Sequence, residues 1–180
     1  MTLSKSILVK DMKKTKAIAL GGIMSAMCIA VMLLGAVIGV GVYVAPMIAG
    51  ICLIPTAKKY GVGYHASLWL VISVLSLLIV PDVEEGLMFF CFFGLYPIVY
   101  PYFQRLPKIL RIIVKLAYFN VVVVAVEYVI IHFFVPDEIG LPLALLLLAI
   151  GNVTFLLYDR IIPKADRLLE RNIGKLIRKF

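Results

Sequence analysis

Residues 13–38 read KKTKAIALGGIMSAMCIAVMLLGAVI, a lysine cluster followed by a long run without a charged side chain. An apolar helix of about 20 residues crosses the roughly 30 Å hydrocarbon core of a bilayer. Residues 17–38 therefore predict a membrane span. Because other apolar runs follow, we expect this first one to be an uncleaved signal anchor.

Five further apolar runs follow the first. With a mean hydropathy of +1.08 and 63% hydrophobic residues, they predict an all-α integral membrane protein, a six-transmembrane-helix bundle over residues 1–162. The short connections make sequence neighbours pack as antiparallel helices, and little chain is left for a soluble catalytic or nucleotide-binding domain. The predicted runs cover about residues 43–56, 64–80, 86–102, 116–135 and 141–158.

The eighteen Lys and Arg residues fall on alternate connections. They occupy the N-terminal segment, residues 58–59, residues 105–115 and the tail, whereas the other connections are uncharged or acidic. Because basic connections are held in the cytoplasm, this pattern predicts cytoplasmic N- and C-termini. It also explains the net charge of +8 by contact with the lipid bilayer, so we expect no nucleic-acid partner.

The tail at residues 163–180 differs from the six runs. Apolar side chains recur at helical spacing, and Arg and Lys side chains occupy the other face. This pattern predicts a cytoplasmic, basic amphipathic helix that lies on the inner leaflet or against a cytoplasmic partner.

Metal, disulfide and catalytic patterns are missing from the sequence. Its three cysteines lie within apolar runs without CxxC spacing, and its two histidines lie near opposite ends of the bundle, so we expect no metal site and no cofactor. Glu84 and Glu85 resemble the paired acids of some intramembrane proteases but lack the downstream Arg. We interpret them as helix N-terminal charges and expect that the protein is not an enzyme.

The fourth run contains the stretch FFCFFGLYPI at residues 89–98. Pro97 and Pro101 predict a bend, and neighbouring helices must then satisfy the freed carbonyls. Gly94 and Pro97 predict a notch near the midplane that exposes carbonyls and the Tyr96 phenol. Trp69, in the third run, is interpreted as an aromatic-belt residue near the cytoplasmic interface.

Glu127 is the one acidic side chain clearly inside an apolar run. It lies roughly 18 Å beyond Lys115 along a helix, slightly past the midplane, and an acid at that depth indicates a functional site. Asn120 shares its helix face, and Asn152 is placed to meet Asn120 across a helix interface. We predict an outward-facing ligand cavity whose binding residues are Glu127, Asn120, Tyr96 and Tyr43.

Small residues form a stripe on the first run at Gly22, Ala26 and Ala30. Such a stripe lets another helix backbone approach closely, where packing replaces the missing hydrophobic drive. From the residues alone, two interpretations stay open: a docking face for a separate subunit, or packing against the protein's own helices.

The six spans, this stripe and the run FFGLYPI at residues 92–98 resemble the S-component, the substrate-binding membrane subunit, of energy-coupling factor (ECF) vitamin transporters. The resemblance implies a vitamin or related micronutrient bound near the outer face, in the bacterial plasma membrane. It also implies a transmembrane coupling subunit that contacts the stripe, and two ATPase subunits. Two alternatives remain: a ligand-free scaffold or assembly protein, and a stand-alone proton-linked carrier that uses Glu127.

Overall fold

A computed structural model describes the backbone of residues 2–39, 41–134 and 141–179, and the side chains of residues 15–39, 42–54, 56, 60–134 and 145–164. Over this part of the chain the secondary structure is helical, without strands. The elements are α1 (Thr2–Ile38), α2 (Gly41–Tyr60), α3 (Val62–Ile79), α4 (Val83–Met88), a π-helical turn (Phe89–Phe93), α5 (Tyr96–Phe103), α6 (Lys108–Phe133) and α7 (Leu141–Lys179).

Five described segments are long and apolar enough to cross a membrane, and a shorter apolar helix, Val42–Ile54, lies within α2. The chain is therefore a multi-pass membrane protein of the all-α class. The five segments are Thr15–Ile38, Val62–Ile79, Val83–Phe103, Lys108–Phe133 and Leu145–Lys164.

The predicted amphipathic tail continues α7 instead of starting a new helix. The 39 residues of α7 run through Pro163 and extend about 58 Å at 1.5 Å per residue, well beyond the thickness of a bilayer core. The side chains after Lys164 lie outside the described residues, so the two faces predicted for the tail stay a prediction.

Successive helices pack antiparallel, as their short connections predict. Cys28 of α1 reaches the Ala49 carbonyl of α2, and Tyr118 of α6 reaches the Cys91 carbonyl of the π-helical turn. Helix α2 is central, because it packs against α1, α3, α7 and the whole α4–α5 segment. We call the end of the bundle that carries Asp82 the acidic end, and the opposite end, which carries Arg105, the basic end.

The α4–α5 segment separates two apolar clusters. Phe89 belongs to a cluster with Cys28, Met32 and Ile72 of α1 and α3. Phe92, on another face, belongs to the larger cluster formed with α6 and α7. The ring of Phe92 contacts five other aromatic rings, those of Phe93, Tyr96, Tyr118, Phe119 and Phe155.

The α4–α5 segment is broken in its middle. In the π-helical turn, the Gly94 N–H donates to the Phe89 carbonyl, five residues back, and the Leu95 and Ile98 N–H groups each donate three residues back. Pro97 has no N–H. As a result, the carbonyls of Phe90, Cys91, Phe93 and Gly94 lose the donor four residues ahead, and Pro101, which also has no N–H, removes that donor for the Pro97 carbonyl.

Side chains from three other helices lie within hydrogen-bonding distance of the first four of these carbonyls. Trp69 Nε1 lies 3.1 Å from the Phe90 oxygen, and Tyr118 Oη lies 3.2 Å from that of Cys91. Tyr158 Oη donates to Phe93 at 3.0 Å. His65 Nε2 lies 3.3 Å from the Gly94 oxygen and donates to it in the tautomer that carries the ring proton on Nε2, whereas Nδ1 lies 3.1 Å from the Leu53 oxygen.

The prediction that neighbouring helices satisfy the freed carbonyls is therefore confirmed at the π-helical turn and at Pro97. The predicted notch is wrong, because Gly94 and Tyr96 are buried and the carbonyls are covered by side chains. Trp69 is not a belt residue either. Its indole stacks on Phe90 with ring centroids 5.3 Å apart and points its N–H into the bundle, because the Phe90 carbonyl needs a donor.

Two glycines allow this close packing. A side chain at Gly50 of α2 would collide with the Phe93 carbonyl oxygen and with the Tyr158 hydroxyl that donates to it. A Cβ atom at Gly94 would lie 2.5 Å from Cδ1 of Trp69. Both positions therefore require glycine, because helix and side-chain atoms already fill the space.

A partly buried ion pair joins α6 and α7 at the basic end. Lys115 Nζ and Tyr96 Oη both lie 2.5 Å from Oδ1 of Asp159, and Lys115 lies 4.6 Å from the centre of the Tyr100 ring. We predicted Lys115 in a connection, but it lies inside α6 and is 3% exposed. Its charge is compensated within the bundle, because a buried unpaired ammonium is costly.

Removing one carbonyl donor should destabilise the bundle measurably. Tyr158→Phe keeps the ring but leaves the Phe93 oxygen without a donor, so we expect the free energy of unfolding to fall by about 1–3 kcal/mol. Tyr102→Phe is the matched control, because Tyr102 is 60% exposed. Reversible unfolding in mixed micelles measures both variants, and equal stabilities would contradict the role of the captured carbonyl.

Candidate functional site

A cavity of about 340 Å³ lies between α2, α6 and α7, toward the acidic end of the bundle. Most of its wall is apolar, and the polar exceptions are Tyr43, Glu127 and Tyr128. Such a lining is typical of small-molecule sites, where a few polar groups orient a mainly apolar ligand. The apolar lining residues are Val123, Val124, Ile131, Leu145, Leu147 and Leu148.

Glu127 faces a second acid. The Glu84 carboxyl group, in the first turn of α4, lies within hydrogen-bonding distance of the Glu127 carboxyl group. Asp82 fixes the start of α4, because its Oδ1 accepts the N–H groups of Glu84 at 3.0 Å and Glu85 at 3.3 Å. Two adjacent carboxyl groups place acidic oxygens at one point of the bundle, so the pair is suited to face a cation.

Tyr43 lies at the back of the cavity and is 7% exposed. Its ring packs on Phe119, with centroids 6.4 Å apart, and a Cβ atom at Gly151 would lie 3.3 Å from it. Among the described residues its hydroxyl has no hydrogen-bond partner. Tyr43 and Glu127 therefore both line the cavity, and Glu84 is connected to it through its contact with Glu127.

Asn120 is engaged elsewhere. It exchanges two hydrogen bonds of 2.9 Å with Asn152, so the contact predicted between these residues is confirmed. Each amide also donates to the carbonyl four residues earlier, at Leu116 and Leu148. The residues that line the cavity do not include Asn120, and its amide ties α6 to α7.

Tyr96 also lies away from the cavity. It is fully buried among the rings around Phe92, and its hydroxyl donates to Asp159 at the basic end. Of the four predicted ligand-binding residues, the structure thus brings Glu127 and Tyr43 together. It places Asn120 and Tyr96 in helix-to-helix contacts.

Glu85 lies on a different face of α4 from Glu84. It is fully buried, and neither of its carboxylate oxygens has a partner among the described residues. Since Phe89 follows four residues later, Glu85 shares the face that meets α1 and α3. The sequence places both acids at a helix start, as observed, but gives no signal that they face opposite sides.

The predicted docking stripe is on the outside of the bundle. Gly22, Ala26 and Ala30 are all exposed, and a Cβ atom at Gly22 would meet nothing within 4 Å. The opposite face of α1 packs on α2 and α3, where Cys28 and Met32 are fully buried. In contrast, Ala45 and Ala49, the small pair of α2, are buried.

Comparisons with known proteins do not assign the chain to a family. No family model, curated protein or solved structure matches the chain. Within the described part of the chain, no group of three or more His, Cys, Asp or Glu side chains is arranged to hold a metal ion.

Two contacts between charged residues are not predicted from the sequence: that of Glu84 with Glu127 and that of Lys115 with Asp159. Glu84 was interpreted only as a helix-terminal charge, and its sequence separation from Glu127 gives no indication that they meet. Lys115 was placed in a connection, and Asp159 was not considered. The four-residue spacing of Lys115, Phe119 and Val123, which places the lysine on the buried side of α6, is a signal that the sequence offers.

The hydrogen bonds between Asn120 and Asn152 should stabilise the folded bundle. Asn120→Ala and Asn152→Ala each remove half of the pair, and we expect a coupling energy of about 0.6–1.7 kcal/mol between them, the usual range for such bonds in membrane proteins. A double-mutant cycle in mixed-micelle unfolding measures it. Additive effects of the two substitutions would show that the amides do not support each other.

Proposed function

We propose that the chain is the membrane-embedded substrate-binding subunit of an ECF-type importer in the bacterial plasma membrane. It binds a small molecule, of the vitamin or related micronutrient kind, at the acidic end. It docks through α1 on a transmembrane coupling subunit that works with two ATPase subunits. The chain itself supplies recognition and docking, without catalysis.

The exposed stripe on α1 is the observation that carries this proposal. Small residues on a helix face normally mark a place where another helix packs closely. In α2 the small pair is buried inside the bundle, whereas Gly22, Ala26 and Ala30 of α1 face outward. A lipid-facing surface gains nothing from small residues, so a partner helix is the better explanation.

The proposed topology has six spans with both termini in the cytoplasm. Helix α2 packs against α1 and α3 and joins their ends. The whole of α2 extends about 30 Å, and its apolar part, Val42–Ile54, about 20 Å, so in this topology the ends of α2 lie near the two faces of the bilayer core. The acidic end then faces outward and the basic end inward, in accord with the distribution of Lys and Arg.

A stand-alone proton-linked carrier is the second candidate. The observation in its favour is the Glu84–Glu127 pair, because two adjacent carboxyl groups can take up and release a proton as a unit. A carrier of this kind needs no partner subunit. Purification under mild conditions separates the candidates, since only the importer subunit brings a coupling protein and ATPases.

The docking surface is testable with one substitution. Ala26→Leu adds bulk to the exposed stripe and should abolish co-purification with the coupling subunit while the isolated protein keeps its stability. Ala117→Leu, at an exposed alanine of α6, is the matched control and should leave the complex intact. An intact complex in Ala26→Leu would contradict docking through this face.

Cysteine labelling tests the orientation. In a variant without Cys28, Cys52 and Cys91, a cysteine at exposed Pro81 should react with an impermeant maleimide added to intact cells. A cysteine at exposed Arg105 should react only after the membrane is opened. Labelling of both positions from outside would rule out this topology.

A further inference from the structure

We infer that the cavity between α2, α6 and α7 takes a small organic cation, with its positive charge at the Glu84–Glu127 pair and its apolar body along α6 and α7. The inference rests on the proposed function as a substrate-binding subunit, and it names the chemical class of the substrate. Three observations support it: the uncompensated carboxyl pair, the free phenol of Tyr43, and the size and lining of the cavity.

The carboxyl pair has no positive partner in the described structure. None of the ion pairs among the described residues involves Glu84 or Glu127. His132, the basic side chain nearest in sequence, is exposed and stacks on Tyr128 with centroids 5.6 Å apart. Glu127 thus presents a carboxyl group without a basic partner to a mainly apolar cavity, where a cation is the complementary ligand.

Other basic side chains are too far away to serve. Those with described side chains lie at or near the basic end, where Lys115 already pairs with Asp159. Glu127 is 12 residues from Lys115 along α6, roughly 18 Å. No basic side chain therefore compensates the carboxyl pair. A cationic ligand can do so, whereas an anionic ligand would be repelled.

Tyr43 adds a second, independent indication. Its side chain is more than nine-tenths buried and lines the cavity, yet its hydroxyl has no hydrogen-bond partner among the described residues. Packing against Phe119 and Gly151 holds the ring in place. A phenol that lines the same cavity as Glu127 offers a cation both an oxygen acceptor and a ring face.

The cavity limits the size of the ligand. Its volume of about 340 Å³ is near the lower end of the roughly 300–1,000 Å³ common for ligand pockets. The valine, leucine and isoleucine side chains that form most of the wall suit one or two rings or a short alkyl body. The ligand class is thus a compact amine or quaternary nitrogen compound with an apolar body.

A fluorescent cation tests this directly. The purified protein, in nanodiscs of zwitterionic phosphatidylcholine, is titrated with a styryl-methylpyridinium dye, followed by its fluorescence. We expect saturable binding that phenyltrimethylammonium displaces and benzenesulfonate does not. Glu127→Gln and Glu84→Gln should each weaken binding by about tenfold or more, and Tyr43→Phe by a smaller factor.

Glu85→Gln is the matched control, because it removes the neighbouring acid on another face of α4. It should bind the dye as the parent protein does. Size-exclusion profiles show which variants fold, and either variant of the carboxyl pair suffices for the test. No saturable binding, displacement by benzenesulfonate, or equal losses in the Glu84 and Glu85 variants would overturn the cation assignment.

The same samples separate this inference from the function on which it rests. If the dye fails to bind but the protein still co-purifies with a coupling subunit and ATPases, the cation assignment alone is wrong. If the dye binds and no such partners are found, the cation site stands and the importer assignment fails.

Discussion

Backbone carbonyls in a bilayer core must be satisfied within the protein, because lipid offers them no donor. This constraint acts most strongly on the α4–α5 segment, where the π-helical turn and Pro97 free four carbonyls. The donors come from α3, α6 and α7, through Trp69, His65, Tyr118 and Tyr158. Three helices are thereby fixed to one broken helix by directional bonds, in a solvent that provides little hydrophobic drive for their association.

The same broken segment sets the position of the candidate site. It leaves Phe92 at the centre of the aromatic cluster with α6 and α7, and Phe89 in the cluster with α1 and α3. The first turn of α4, which Asp82 caps, directs Glu84 toward Glu127. Glu85 is buried on the face that meets α1 and α3. The tie between Asn120 and Asn152 then joins α6 to α7 beside the cavity.

The sequence predicts the class of the fold and several of these contacts, for physical reasons that can be named. Pro97 and the apolar length of the run indicate both a break and a need for donors, and the two asparagines lie at matching depths in neighbouring helices. The sequence does not identify the donors, since a π-helical turn shifts the register of the following residues. For the same reason Tyr96, which was predicted in the ligand site, points toward Asp159. The contact of Glu84 with Glu127 is not predicted because no pattern near either residue indicates it.

The capture of the freed carbonyls is tested most directly at Trp69, the single tryptophan of the chain. Labelling with ¹⁵N-indole gives one N–H resonance in the NMR spectrum of the protein in micelles. Because this N–H donates to the buried Phe90 carbonyl, we expect it to exchange with deuterium over hours and to resist broadening by a water-soluble gadolinium chelate. Exchange within minutes together with strong broadening, as for a tryptophan at the membrane interface, would contradict the account.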